Sequence, residues 1–207
     1  MANRIKALVF DLGGVLLNIS YQKTIERFRS LGVPNPEIQF SKAQQSMLFE
    51  KFEKGEISEG QWLDEMEVLC QENANREQIL EAWNSMLLDF PMERLNALKK
   101  LKESYPLFLL SNTNHTHIEY CRKNYHDPVN WAEFEGLFNQ VFLSYEVGMR
   151  KPDPNIFEFV QETIGYEAKE IWYIDDSPQH IETAHKLDWN ANHLTEDKDV
   201  LEFLKDL

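Results

Sequence analysis

The sequence predicts an α/β fold: a parallel sheet with helices on both faces and a small helical bundle inserted after the first strand. Apolar runs of strand length alternate with helical stretches on either side of a long central segment, as in parallel sheets covered on both faces. The strongest runs end in carboxylates or hydroxyls, at the strand ends where such sheets bind ligands. Between about residues 17 and 90 the alternation stops and only helical patterns remain.

The first run, 5–10, stops at Asp11 and is followed by Gly13-Gly14, a buried strand delivering a carboxylate into a loop. Helical stretches follow at 21–31, 40–52, 58–71 and 76–88. Gly32-Val33-Pro34-Asn35-Pro36 breaks the first two apart, and Ser58 with Gln61 forms a capping-box pattern. Tyr21, Phe28, Phe49, Phe52 and Trp62 fall at helical spacing and read as bundle core.

A helix over 92–103 leads to a second strand at 107–110, which leaves through Ser111-Asn112-Thr113-Asn114 into a helix at 116–124. An irregular stretch with Trp131 and Phe134, expected to pack against the bundle, precedes a third strand at 140–143. Asp153-Pro154 starts a helix over 154–164, and Ser177-Pro178 one over 178–187, each as N-cap and first helical residue. The strand between them, 171–174, ends in Asp175-Asp176. A short strand around 192–194 and a helix over 200–207 complete the chain. The organisation is therefore a core of residues 1–16 and 91–207 with a helical insert at 17–90.

A length of 207 residues suits one well-packed domain carrying an insertion, and 43% apolar residues supply its core. The net charge of −14 argues against nucleic acid, whose phosphates are held by clustered Lys and Arg. An anionic ligand would need a metal ion, a lysine or backbone N–H groups to offset that field. Cys70 and Cys121 have neither disulfide-framework nor zinc-site spacing and read as buried thiols of a reducing compartment. With no signal-peptide pattern and no apolar run near the ~20 residues that span a bilayer, the expectation is a cytoplasmic monomer or weak dimer without membrane contact.

Taken singly, Asp11, Ser111, Lys151 and the Asp175-Asp176 pair have ordinary structural readings as turn, cap or solvated loop residues. Adjacent carboxylates at a strand end, however, repel unless a cation lies between them. Together the set suits phosphoryl transfer. A carboxylate attacks phosphorus, magnesium held by oxygen ligands neutralises the phosphoryl oxygens, and the Ser-Asn loop donates hydrogen bonds while a lysine balances charge.

Four segments carry a family resemblance: Phe10-Asp11-Leu12-Gly13-Gly14-Val15-Leu16, Leu109-Leu110-Ser111-Asn112, Gly148-Met149-Arg150-Lys151-Pro152-Asp153 and Tyr173-Ile174-Asp175-Asp176-Ser177. In this order they resemble the haloacid dehalogenase (HAD) superfamily, whose members carry a Rossmann-like core and, in one class, a small helical cap where the insert lies. The resemblance implies Asp11 as nucleophile, with Ser111 and Lys151 steadying the phosphoryl group. It implies magnesium on Asp11, Asp176 and the Gly13 backbone carbonyl, and substrate contacts from Leu12, Gly13, Ser111, Asn112 and Lys151. Asp175 stands where many members have Gly, and is expected either as a further metal ligand, acting through water, or as a partner of Lys151.

Typical phosphatases of the family carry a general acid/base Asp at the position of Gly13. Its loss removes a proton-transfer contribution of ~10²–10⁴-fold, tolerable for a leaving group that departs easily. His117 and Asp175 are the candidates to replace it. A subgroup resembling bacterial α-D-glucose-1-phosphate phosphatases shares Gly at that position, the run Leu110-Ser111-Asn112-Thr113-Asn114 followed by His117, and Gly148-Met149-Arg150-Lys151-Pro152. The resemblance thus implies a small phosphorylated metabolite, such as a hexose 1-phosphate. The competing readings are a metal-independent 2-haloacid dehalogenase and a phosphate-binding protein without turnover.

Overall fold

The computed structural model describes residues 5–40, 47–71, 74–126, 129–205 and 207. In chain order the elements are β1 (Ala7–Phe10), α1 (Tyr21–Ser30), α2 (Pro36–Gln39), α3 (Met47–Glu53), α4 (Glu59–Leu69), α5 (Arg76–Asn84), α6 (Met92–Leu101), β2 (Leu107–Ser111) and α7 (His115–Asn124). They continue with α8 (Trp131–Glu135), β3 (Gln140–Leu143), α9 (Ser144–Val147), α10 (Pro154–Ile164), β4 (Ile171–Asp175), α11 (Pro178–Lys186), β5 (Asn190–His193) and α12 (Val200–Leu204).

All five strands pair in parallel, in the order β3-β2-β1-β4-β5. Both faces of the sheet are buried, as the alternation along each strand shows. Leu8, Phe10, Leu107, Leu109, Trp172 and Ile174 face one cluster, which α6, α7, α8 and α12 complete. Ala7, Val9, Phe108, Leu110, Ile171 and Tyr173 face the other, closed by α10 and α11. The chain moves outward from β1 to β2 and β3, then returns to place β4 on the other side of β1. The crevice between the ends of β1 and β4 is therefore a topological switch point, where such sheets bind ligands.

Helices α1 to α5 bury a separate cluster, with Phe28, Phe40, Phe49, Phe52, Trp62 and Trp83 packed ring against ring. The Ser58–Gln61 capping box is present, with Gln61 N–H donating to Ser58 Oγ at 3.2 Å. The segments entering and leaving this bundle pair with each other through an isolated antiparallel bridge between Ile19 and Leu87. Asn18 N–H donates to Asp89 O at 3.1 Å, Leu88 N–H to Asn18 O at 2.9 Å and Ser20 N–H to Met86 O at 2.9 Å. Buried Arg94 fixes that pair to the core through Leu16 O, Asn18 Oδ1 and Asp199 Oδ2 at 3.2, 2.9 and 2.8 Å.

Some expectations need correction. Trp131 and Phe134 sit on α8 and pack with Phe10, Phe90 and Phe138 in the sheet cluster, not against the helical bundle. Ser177 and Asp153 occupy N-cap positions before Pro178 and Pro154, but neither side chain makes a cap hydrogen bond. The helix expected over 40–52 is described from Met47, because 41–46 lie outside the described residues.

Candidate active site

The predicted site residues at 11–13, 111–112 and 175–176 lie at the carboxyl ends of strands, and Lys151 joins them from a loop. Asp11 follows β1, where its N–H donates to Ile174 O at 3.1 Å, the last rung between β1 and β4. Ser111 ends β2, Asp175 ends β4 and Asp176 follows it. Lys151 reaches in from the segment between α9 and α10 and is completely buried. Its Nζ donates to Asp11 Oδ1 at 2.8 Å, Asp175 Oδ2 at 2.6 Å and Leu110 O at 2.9 Å, ending above the Tyr173 ring.

The backbone that delivers this lysine is clamped by Asn112. Its amide donates to Lys151 O and accepts from Lys151 N–H, both at 2.8 Å. The Asn112 side chain is thereby committed to the lysine, so its share in binding a ligand falls to the backbone of the Ser-Asn loop. Leu12 is likewise a core side chain whose carbonyl accepts Leu16 and Leu17 N–H at 2.9 Å, closing the turn after Asp11. Asp11, Leu12, Gly13, Ser111, Asn112, Lys151 and Asp176 all line one cleft between sheet and bundle.

Asp175 lies fully buried beside Asp11 and has its oxygens occupied. Oδ1 accepts Ser177 N–H at 2.8 Å; Oδ2 accepts Lys151 and the Tyr173 hydroxyl; His180 Nδ1 lies 2.9 and 3.0 Å from the two. Burial pushes this carboxyl up, but Lys151 and His180 outweigh burial and hold it well below the ordinary carboxylate range. Burial disfavours the charge on Lys151 too, and Asp11 with Asp175 more than compensates, so the ammonium stays charged. Asp11 differs. Burial, only partly opposed by Lys151, lifts it to about 7.

Carboxylate oxygens of Asp11, Asp175 and Asp176 come within 4.8 Å of one another. Asp11 and Asp175 share the one ammonium and Asp176 adds a third carboxylate beside them, an excess of negative charge that suits a divalent cation. Gly14 keeps the space open. Its φ of +80° is unfavourable for any side chain, and a Cβ there would lie 2.2 Å from Asp176 Oδ2.

His117 lines the same cleft, but its ring nitrogens are engaged by other partners. Its ring stacks on Trp83 at 4.5 Å, Nδ1 faces the Asn114 amide at 3.2 Å, and Nε2 faces Trp83 O at 3.4 Å. Burial pushes it down to about 3, so it is a neutral link between α7 and α5. Sequence reasoning overlooked His180 and Glu53, read Arg150 only as part of a motif and read Tyr21 as bundle core; all four line the cleft. His180, on the first turn of α11 and five residues after Asp175, could have been found from that spacing. Glu53 and Tyr21 come from the bundle, where no periodicity distinguishes a cleft residue from a core one.

Fold and site together define a parallel-sheet α/β enzyme whose acidic, lysine-bridged centre occupies the switch point beneath a helical bundle. The chain belongs to the haloacid dehalogenase-like hydrolases, whose sequence profile matches residues 5–188. It is 28% identical to the D-ribitol-5-phosphate phosphatase of Bacteroides thetaiotaomicron over 187 residues, 88% of each chain. A HAD family enzyme of the same species, crystallised as a variant with magnesium and inorganic phosphate, superposes with a TM-score of 0.89 at 36% identity, over 96% of this chain and 98% of that one. A predicted HAD-like hydrolase from Porphyromonas gingivalis gives 0.87 at 26% identity, over 98% and 97%.

Proposed function

We propose that the protein is a magnesium-dependent phosphatase that hydrolyses a small phosphate monoester, a sugar or polyol phosphate, with Asp11 as covalent nucleophile. The observation that carries this reading is the buried Lys151 ammonium, fixed 2.8 Å from Asp11 while Asp175 anchors its other side. Asp11 Oδ attacks phosphorus, the ester P–O bond breaks, and the leaving oxygen takes the bonding pair and picks up a proton from solvent to become the alcohol. Water then attacks phosphorus and gives up a proton to solvent, the bond to Asp11 breaks with its pair returning to the carboxylate, and orthophosphate departs. Lys151 and the Ser111 hydroxyl steady the phosphoryl oxygens in both steps. Magnesium would be held by Asp11, Asp176 and the Gly13 carbonyl and, when bound, neutralises phosphoryl charge. Asp175 acts as the partner of Lys151, since its lone pairs are already taken.

Residues 17–90 serve as a cap over the core of 1–16 and 91–207, and its side chains select the alcohol. Among the described residues no helix is long and apolar enough to cross a membrane. On this reading the protein works in the cytoplasm as a monomer or weak dimer on a diffusible substrate. A metal-independent dehalogenase would leave Asp176 and the open Gly14 position without a task. Intact Asp11, Ser111 and Lys151 speak against a binder without turnover.

The test is phosphate release from glucose 1-phosphate, ribitol 5-phosphate, simple alkyl phosphates and p-nitrophenyl phosphate, with magnesium or EDTA. Release that requires magnesium and falls by several orders of magnitude in Asp11→Asn is expected. Because Gly13 supplies no proton, the aryl ester should outpace alkyl esters. Chloride release from a 2-haloacid in EDTA, with no phosphate released from any ester, would replace this reading.

A further inference from the structure

The cleft wall carries a second charged pair besides the acids and lysine at the strand tips. Glu53, the last residue of α3, is 6% exposed, and its carboxylate meets the Arg150 guanidinium at 2.9 Å. Both side chains line the same cleft as Asp11. Tyr21 senses both charged groups: burial first, then the negative charges of Glu53, Asp176 and Asp11, keep its hydroxyl protonated and able to donate.

A carboxylate outside the group that could share a cation would repel the phosphoryl group, and Glu53 is not one of Asp11, Asp175 and Asp176. It therefore belongs to the leaving group. An apolar alcohol would seal that carboxylate against hydrocarbon at high cost. A zwitterionic alcohol would have to split the Glu53–Arg150 pair to satisfy its own charges. Hydroxyl groups fit without either penalty, since they donate to carboxylate lone pairs and accept from guanidinium N–H groups. Leu17, Ile19 and Met86, also on the cleft wall, suit the C–H face of such a chain.

We propose that Glu53, held in place by Arg150, binds hydroxyl groups of the leaving alcohol, so that the protein selects monophosphorylated polyols and sugars over apolar or zwitterionic phosphate monoesters. The inference rests on the phosphatase reading and adds to it a specificity residue on the cap.

The test compares wild type, Glu53→Gln and Glu53→Asp on ribitol 5-phosphate, butyl phosphate, farnesyl phosphate and phosphoserine, each referred to p-nitrophenyl phosphate. In Glu53→Gln, kcat/KM for the polyol phosphate should fall about tenfold or more relative to the aryl ester, mainly through KM, since a hydrogen bond to a charged group is lost. Glu53→Asp should recover part of that ratio. The inference is overturned if the ratio is unchanged, if both variants lose every substrate in proportion, or if the wild type prefers farnesyl phosphate or phosphoserine. A wild type that releases phosphate from none of these, the aryl ester included, sinks the phosphatase reading itself.

Discussion

At Asp11 two demands conflict. On the proposed mechanism the residue must be ionised to attack, yet burial and two neighbouring acids lift it from 3.8 to about 7. A folded-state pKa above the unfolded value means that the folded chain binds the proton more tightly. The associated stability is present below about pH 4 and is lost as pH rises through about 7. Asp11→Asn never ionises. In EDTA it should melt above the wild type at pH 8, the gap closing as pH falls from 7 towards 4. Each ~1 kcal/mol corresponds to about 2–4 °C in a domain of this size. A gap independent of pH, measured by thermal melting, would show that the Asp11 carboxylate is not strained in the metal-free fold. Most of this centre was legible from residue types, because a carboxylate, a hydroxyl, a lysine and paired acids each ended a recognisable apolar run or fell beside a proline. The division of labour within it was not. That Asn112 clamps Lys151 and Asp175 neutralises it depends on side-chain direction, which strand and loop assignments do not contain.

At the scale of elements, the helical bundle is joined to the sheet layer by a few specific contacts. Thr116 donates to Glu59 Oε2 at 2.7 Å, Arg150 pairs with Glu53, and Trp83 lies on His117. Gly55, after α3, makes the tightest approach. With φ at +66°, a Cβ there would stand 2.3 Å from Tyr145 O on α9, a backbone atom that cannot swing aside. Gly55→Ala should therefore displace α3 from α9, with a destabilisation of about 1–3 kcal/mol. Urea unfolding would read that loss, and kcat/KM should fall with it because Glu53 ends the same helix. A variant as stable and active as the wild type would mean that bundle and sheet layer are joined without this contact. The long strands and helices were legible from periodicity, whereas α2, α8 and α9 were not, since four or five residues hold barely one helical turn. Strand β5 was misplaced by about two residues because Asn190 and Asn192 give this half-buried edge strand no apolar signature.

For the whole molecule, a net charge of −14 makes anion binding a local achievement. Parallel topology gathers segments from distant parts of the chain at one crevice, where Lys151 and a divalent cation would reverse the surrounding field. The order of the four segments along the sequence already implied that convergence. The Glu53–Arg150 pair in the cleft wall could not be read this way, because the two residues meet only once the bundle settles on the sheet.

The central claim is a covalent bond between Asp11 and phosphorus, and the most direct measurement is acid quenching within the first turnover, followed by peptide mass spectrometry. With magnesium and p-nitrophenyl phosphate, a phosphoryl adduct should appear on the peptide carrying Asp11 and be absent from Asp11→Asn. Nitrophenolate released in a burst while that peptide stays unmodified, or an adduct on any other residue, would contradict the account.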